Sequence, residues 1–471
     1  MGYEKKEKCG VFGVWGSAES TRLAYMALYA QQHRGQESAG IAFSDGKQID
    51  AYVGMGLVSE VFSESILEKL EGIGAIGHNR YSTTGSSKRS NAQPLLEEYG
   101  GGIQVAVAHN GNLINADLLR GDYEKRGHIF HTSTDTEIII HLLAAHHLTY
   151  SDPLAETLEH LQGAYSLVFL FHDRIEAIRD PWGWRPLVLG RMSDGCWCVA
   201  SETVALDTIG ATFEREVEPG EIVTLNNNGL SSRRFAEVQT PAHCIFEHVY
   251  FANPSSNMFG DTVQIVREKL GETLAVEAPV DGDYVIPMPD SGRSAALGYA
   301  RGSGIPFREG IVPNRYVGRT FIQPTQAMRN MSVQLKLNVV SEVVKGKRII
   351  VIDDSIVRGT TMAGKMDQLR RAGACEIHLR ISCPPIRHPC FFGIDFPDRK
   401  ELIAAHNSVD QIAKIVGVDS LHYLSLEGML SCVTRPADHY CTACYSGQYR
   451  LDVTHPVSKL GLERHQLKMF S

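Results

Sequence analysis

The sequence has no apolar run near the roughly 18 residues that span a bilayer, which excludes a membrane-spanning helix. It has no basic excess either. Asp and Glu number 54 against 46 Lys and Arg, a net charge of −8, whereas a nucleic-acid binder ordinarily carries the opposite balance. Ten cysteines in 471 residues are too few for a disulfide scaffold. Repeats and low-complexity tracts are absent. Met1 to Lys8 is short and charged, and the glycine-broken CGVFGVWG that follows is too weak for a secretory signal. The start MGYEKK also lacks the Ser or Thr of a myristoylation signal. These absences predict a soluble, cytoplasmic chain with neither a membrane nor a nucleic-acid partner. What is present is ordinary globular material: 43% hydrophobic and 21% charged, enough to bury a sizeable core. At roughly 150 residues per domain, the length suggests about three domains or two large ones.

The chain reads as two halves. Residues 9 to 235 are strand-rich: IQVAVAH (103–109), AYSLVFLF (164–171), RIEAIR (174–179), PLVLG (186–190) and CWCVAS (196–201) are short runs separated by turn residues. Helical periodicity appears at 20–31 and 135–146. Helix layers over antiparallel sheets follow from that mixture. The second half alternates: DYVIPMP (283–289) strand, SGRSAALGYARGSG (291–304) helix, KRIIVIDD (347–354) strand, GTTMAGKMDQLRRAGA (359–374) helix, CEIHLRIS (375–382) strand. Such β-α-β alternation predicts a parallel, doubly wound sheet. The boundary falls near 230–245, after NNNGLSSRR. The tail beyond about 445 is polar and shows no period.

RIIVIDDSIVRGTT (348–361) is the most informative stretch. Its apolar run delivers Asp353 and Asp354 to the C-terminal end of a strand, the end that lines the ligand crevice in open α/β sheets. Gly359 lets the backbone approach a ligand closely. Thr360 and Thr361 add hydroxyls beside the N–H groups of a starting helix, where an anion is favoured. One end of this loop suits a phosphate. The other end suits vicinal hydroxyls or Mg²⁺. A ribose 5-phosphate satisfies both. VIPMPDSGRSA repeats the arrangement, with Asp290, Ser291 and Gly292 placed for another oxyanion or its metal. Between the two lies 313–338, long and basic for a loop. Its Arg315, Arg319, Arg329 and Lys336 could close over a pyrophosphate leaving group. The pattern at 348–361 resembles the phosphoribosyl pyrophosphate (PRPP) signature of the type I phosphoribosyltransferases, and it lacks the Gly-Lys-Ser/Thr of a nucleotide-hydrolysing P-loop.

Cys9, as an internal residue, is an apolar-flanked thiol with no base beside it, as a buried cysteine commonly is. Three further segments change its meaning: QQHRGQESAGIA (31–42), GHNRYSTTG (77–85) and AHNGNLIN (108–115) put Arg, Asn, Gly and Ser at strand ends and turns, fit for a small zwitterion and an oxyanion. With CGVFG and TSTDTE they resemble the class II glutamine amidotransferases. That resemblance implies an N-terminal nucleophile (αββα) glutaminase fold over 9–235, followed by an α/β phosphoribosyltransferase domain with a C-terminal extension over 236–471. It makes Met1 to Lys8 a propeptide and Cys9 the nucleophile, with its liberated α-amine as base. An amine of pKa near ~8 accepts a thiol proton, whereas an amide nitrogen does not. It also assigns Arg80 to the glutamine carboxylate, Asp135 to the amino group, and the Asn110 side chain and Gly111 N–H to the oxyanion hole.

The pairing of both motif sets, with EHVYFANPSS and YVGRTFI, is similar over nearly the whole chain to the glutamine phosphoribosylpyrophosphate amidotransferases. Their reaction moves the glutamine amide nitrogen to C1 of PRPP in the first step of purine synthesis. The resemblance implies that Asp353 and Asp354 hold the ribose hydroxyls and, with Ser291, place Mg²⁺. It further implies purine nucleotide feedback inhibitors and a homotetramer. One segment departs from the pattern: RDPWGWRPL (179–187) carries Trp182 where a smaller or polar residue is expected. Fructose-6-phosphate amidotransferases and asparagine synthetases share the first half, and the Asp353–Thr361 signature argues against both. A phosphoribosyltransferase fold reused as a nucleic-acid regulator is opposed by the charge and by the intact glutaminase motifs.

CTAC (441–444), by spacing alone, reads as a zinc half-site, a redox pair or neither. Cys244, in PAHCIFEH, and Cys390, in RHPCFFGID, stand in separate segments. Four thiolates suit structural zinc or an iron–sulfur cluster, and spacing does not choose between them. The resemblance does: HPCFFGID and CTACYSG are similar to the segments of the family branch that carries a [4Fe–4S] cluster. Cys244, Cys390, Cys441 and Cys444 are then its ligands.

Overall fold

The computed structural model describes residues 9–81, 84–313, 337–395, 398–453 and 461–463. Residues 1–8 and the loop containing Arg315, Arg319, Arg329 and Lys336 lie outside the described residues. No described helix is long and apolar enough to cross a membrane.

The first half is a four-layer sandwich. One sheet has seven strands, in spatial order Thr212–Glu216, Val188–Arg191, Trp197–Ala200, Gly10–Trp15, Gly74–Arg80, Ser38–Ser44 and Ile49–Met55. The other has six: Gly229–Arg234, Glu221–Asn226, Arg174–Arg179, Gly163–Phe171, Ile103–Leu113 and Leu95–Tyr99. Neighbouring strands in both sheets run antiparallel. Alternation along each strand divides the core. Val11 and Trp15 face inward and meet Val168, Ala108 and Val199 between the sheets. Phe12 and Val14 face outward under the helix Ser20–Ala30 and the helix Thr203–Ile209. Helices Ala116–Lys125, Glu137–His146 and Pro153–Glu159 cover the outer face of the second sheet. This is the predicted αββα arrangement. The predicted helix over 135–146 begins two residues later, because Asp135 and Thr136 are spent on side-chain bonds ahead of its first turn.

The second half carries a four-stranded parallel sheet, ordered Tyr284–Pro287, Arg348–Asp353, Glu376–Ile381 and Ser420–Tyr423. Ile349 to Ile352 are all fully buried, as expected of an interior strand covered on both faces. Helices Val263–Glu277, Arg293–Ser303 and Thr360–Arg371 pack against this sheet.

The halves are tied together at their junction. His243–Cys244 pairs in parallel with Tyr440–Cys441, returning the C-terminal region to the seam. Buried Arg34 bridges to Glu247 with two bonds of 3.1 Å, and its Nε donates to the Cys9 carbonyl at 3.0 Å. A stretch of the first half that contacts Cys9 is thereby anchored in the second.

Candidate active site

The strand Gly10–Trp15 pairs with Gly74–Arg80 so that Gly10 faces Asn79, which sets Cys9 beside Arg80 and Tyr81. The Cys9 thiol donates to the Tyr81 carbonyl at 3.3 Å, and the Tyr81 N–H points at the sulfur from 3.5 Å. Burial pushes the thiol up to about 11, against the opposing effects of the Tyr81 bond and the Arg80 charge. With an acylated nitrogen at residue 9 this sulfur stays protonated at neutral pH. The Arg80 guanidinium is buried, donates to the Thr84 carbonyl at 3.2 Å and the Ser86 carbonyl at 3.3 Å, and lies 3.5 Å from Glu37. The turn 84–86 thus fixes its aim.

Asn110 and Gly111 do not sit in a turn, as the motif suggested. They lie inside the strand Ile103–Leu113, paired with Ser166 and Tyr165 of its neighbour. Only glycine fits at 111, where a Cβ would stand 1.9 Å from the Ala164 carbonyl oxygen. Asn110 is 1% exposed, and its Nδ2 has no hydrogen-bond partner among the described residues. A buried amide donor without an acceptor is costly and marks a place where an oxygen belongs. Asp135 is also buried. One of its oxygens accepts from the Leu113 N–H at 2.9 Å, and the other lies 3.7 Å from His109 Nδ1. The charges of Arg80 and Asp135 both act on the Cys9 thiol, Arg80 lowering its pKa and Asp135 raising it.

In the second half, Asp353 ends the interior strand Arg348–Asp353 and Asp354 and Ser355 follow it, all at most 3% exposed. Ser291 Oγ reaches Asp353 at 3.3 Å, bringing the two strand–loop–helix motifs together. Ser355 Oγ donates to Asp354 at 2.6 Å. Gly359 caps the following helix with φ +79°, a left-handed conformation that a side chain strains. Thr360 and Thr361 are exposed on its first turn. Nearby Arg267 is buried and pulled down to about 10 by desolvation, with the Asp354 charge opposing.

Cys244 and Cys441 are direct partners in the strand pair at the seam. Cys390 and Cys441 pack with Trp184 and Phe392, whose rings stack 4.5 Å apart. Burial pushes the thiols up, Cys244 and Cys390 to about 11 and Cys441 to about 12. Cys244 and Cys390 raise Cys441 further, and Cys390, Cys244 and Cys441 raise Cys444. Among the described residues no disulfide forms and no group of three or more His, Cys, Asp or Glu is arranged to hold a metal ion. Trp182, the departure from pattern, has a packing explanation: its ring lies 5.0 Å from that of Trp184, in the same aromatic wall beside Cys390 and Cys441.

Sequence reasoning passed over Arg34, Glu247, Arg185 and Glu463. Arg34 lies in QHRGQE and Arg185 in WRPL, and the available signal is that a buried arginine demands a carboxylate. Glu463 sits in the polar tail. It accepts from the Ser86 N–H at 2.8 Å and the Ser133 hydroxyl at 3.1 Å, beside a fully buried Leu462. No period announces that contact.

An αββα sandwich ahead of a parallel sheet whose strand Arg348–Asp353 ends at Asp353 is the architecture of a glutamine amidotransferase domain joined to a phosphoribosyltransferase domain. A family model of the glutamine amidotransferase domain matches residues 78–208. The amidophosphoribosyltransferase of Bacillus subtilis is 46% identical over 452 residues, 95% of this chain and 95% of that protein. The chloroplastic enzyme of Glycine max is 49% identical over 449 residues, 95% of this chain and 79% of that protein. A solved structure of the glutamine PRPP amidotransferase from B. subtilis, complexed with ADP and GMP, superposes with a TM-score of 0.90. It is 44% identical, covering 96% of this chain and 100% of that one. The chain belongs to the amidophosphoribosyltransferase family. Its substrates are glutamine and PRPP, and its reaction opens purine biosynthesis by making 5-phosphoribosylamine, glutamate and pyrophosphate.

Proposed function

We propose that the two half-reactions divide at residue 235, with glutamine hydrolysis in 9–235 and phosphoribosyl transfer in 236–471. The observation that supports the first is the buried Asn110 Nδ2, which has no hydrogen-bond partner among the described residues. After removal of residues 1–8, the α-amine of Cys9 takes the thiol proton and the sulfur attacks the glutamine carboxamide. Asn110 Nδ2 and the Gly111 N–H receive the oxyanion. Arg80 holds the α-carboxylate and Asp135 the ammonium. The amine returns its proton to the departing ammonia, and water hydrolyses the thioester to glutamate.

Ammonia released in the first pocket displaces pyrophosphate from C1 of PRPP in the second. Asp353 and Asp354 hold the ribose hydroxyls, and Gly359, Thr360 and Thr361 receive the 5-phosphate. Arg319 and Lys336 belong to the loop assigned to the pyrophosphate. The donor set Asp353, Asp354 and Ser291 suits Mg²⁺, which binds few protein oxygens and keeps waters and substrate oxygens. When bound it neutralises charge developing on the leaving group.

The four clustered cysteines fit a [4Fe–4S] centre. Buried thiols that raise one another's pKa need a cation to ionise together, and Arg185 adds positive charge beside Cys244 and Cys390. The cluster's role is structural, since neither half-reaction moves an electron. Purine nucleotides are the proposed feedback ligands, as ADP and GMP accompany the B. subtilis structure. The assembly is a homotetramer in the cytoplasm.

The test is a comparison of nitrogen sources. Cys9→Ala abolishes glutamine-dependent synthesis while ammonia-dependent synthesis survives, and N-terminal sequencing of active enzyme begins at Cys9. Fully glutamine-active protein starting at Met1 or Gly2 would overturn the amine-as-base reading.

A further inference from the structure

Asn112 has no part in the chemistry above, yet its amide is used on both sides. Its Oδ1 accepts from the Thr84 hydroxyl at 2.6 Å, and its Nδ2 donates to the Phe391 carbonyl at 2.9 Å. Asn112 is 5% exposed and follows the Asn110–Gly111 pair on the same strand. Thr84 opens the turn whose carbonyls at 84 and 86 hold the Arg80 guanidinium. Phe391 belongs to the second half, in the turn that follows Cys390. That turn lies directly against the oxyanion strand: a Cβ on Gly393 would stand 3.0 Å from the Gly111 carbonyl carbon. Arg185 donates to the Phe392 carbonyl, and the Phe392 N–H points at the Cys390 sulfur from 3.4 Å.

Glutamine presents a carboxylate at one end and a reacting amide at the other. Arg80 meets the first, and Asn110 with Gly111 meets the second. The distance between those two walls decides whether a bound glutamine places its carboxamide at the sulfur and in the oxyanion hole together. One side chain ties both walls to each other and to the second domain. We infer that Asn112 is a positioning residue for the glutamine half-reaction, holding the 84–86 turn and the oxyanion strand in register against the Cys390–Gly393 turn. This rests on the roles proposed for Arg80, Asn110 and Gly111.

Thr84→Val removes the hydroxyl at nearly constant volume and leaves the domain seam untouched. It raises KM for glutamine by about ten-fold, the size expected for one lost buried hydrogen bond. The kcat and the ammonia-dependent rate stay within about two-fold, below what one such bond is worth. Thr84→Ser restores KM. Asn112→Asp keeps the acceptor for Thr84 and loses the donor to Phe391, so it lowers glutamine-dependent kcat/KM while sparing ammonia-dependent synthesis. Should Asn112→Asp fail to fold, the Thr84→Val and Thr84→Ser pair decides alone. An unchanged glutamine KM in Thr84→Val overturns the inference, as do glutamine and ammonia rates that fall by the same factor. Asn110→Ala separates the two levels. If it leaves glutamine turnover intact, the oxyanion reading itself has failed. If it abolishes turnover while Thr84→Val behaves as wild type, only the inference about Asn112 has failed.

Discussion

A thiol pushed up to about 11 is a poor nucleophile at neutral pH until a base sits beside it, and at Cys9 the base proposed is its own amine. The oxyanion donors proposed, Asn110 and Gly111, would carry a second, separable part of the rate. Asn110→Ala removes the side-chain donor and should cost about 10²–10³ in glutamine-dependent kcat, read against an unchanged ammonia-dependent rate. Buried histidines set the acid limit of stability. Desolvation lowers His78 to about 3 and His248 to about 4. The unfolded chain binds a proton at each near pH ~6.5 and the folded chain does not, so ν_U exceeds ν_N between those values. Stability is therefore complete above about pH 6.5 and falls as pH drops towards 4. Urea unfolding midpoints at pH 7.5 and 5 should show that loss. His78→Gln should shrink the difference between the two pH values, and a midpoint equally pH-sensitive in the variant would count against the assignment.

At the scale of elements, the phosphate loop is the sharpest case. Asp353→Asn or Asp354→Asn should cripple PRPP-dependent synthesis with glutamine and with ammonia alike, while basal glutaminase activity remains. Gly359→Ala strains a left-handed position and drives a Cβ to 2.7 Å from Ile403, so the same loss should follow. If both half-reactions persist unchanged in all three variants, the loop has been misread. These elements were legible because periodicity and turn chemistry are local: the strand Arg348–Asp353 and the helix Thr360–Arg371 lie within two or three residues of their sequence limits. Asn110–Gly111 was misplaced for a physical reason. Asn and Gly are the ordinary signals of a turn, and only the paired strand Gly163–Phe171 tells a reader that the glycine is there for backbone proximity. Trp182 is illegible in the same way: Trp184 stands two residues away in sequence, but the cysteines beside both rings come from distant segments.

Across the whole molecule, contacts distant in sequence join the two halves of the chain. Arg34 to Glu247, Asn112 to Phe391 and Ser86 to Glu463 are separated by 213, 279 and 377 residues, and no motif spacing could have disclosed them. The four cysteines belong to that scale as well, drawn from the seam, a loop and the C-terminal region. Protein purified without oxygen should be brown and contain iron and acid-labile sulfide, whereas a colourless, iron-free preparation with full activity and stability would refute the cluster. The central claim is that one chain spends one glutamine for each PRPP. Its most direct test is a coupled assay of glutamate and pyrophosphate released by the purified enzyme with both substrates and Mg²⁺. The expected result is equimolar release, with pyrophosphate release lost when glutamine is omitted and restored by ammonia. Glutamate release with no accompanying pyrophosphate, or pyrophosphate release that needs no nitrogen source, would contradict it.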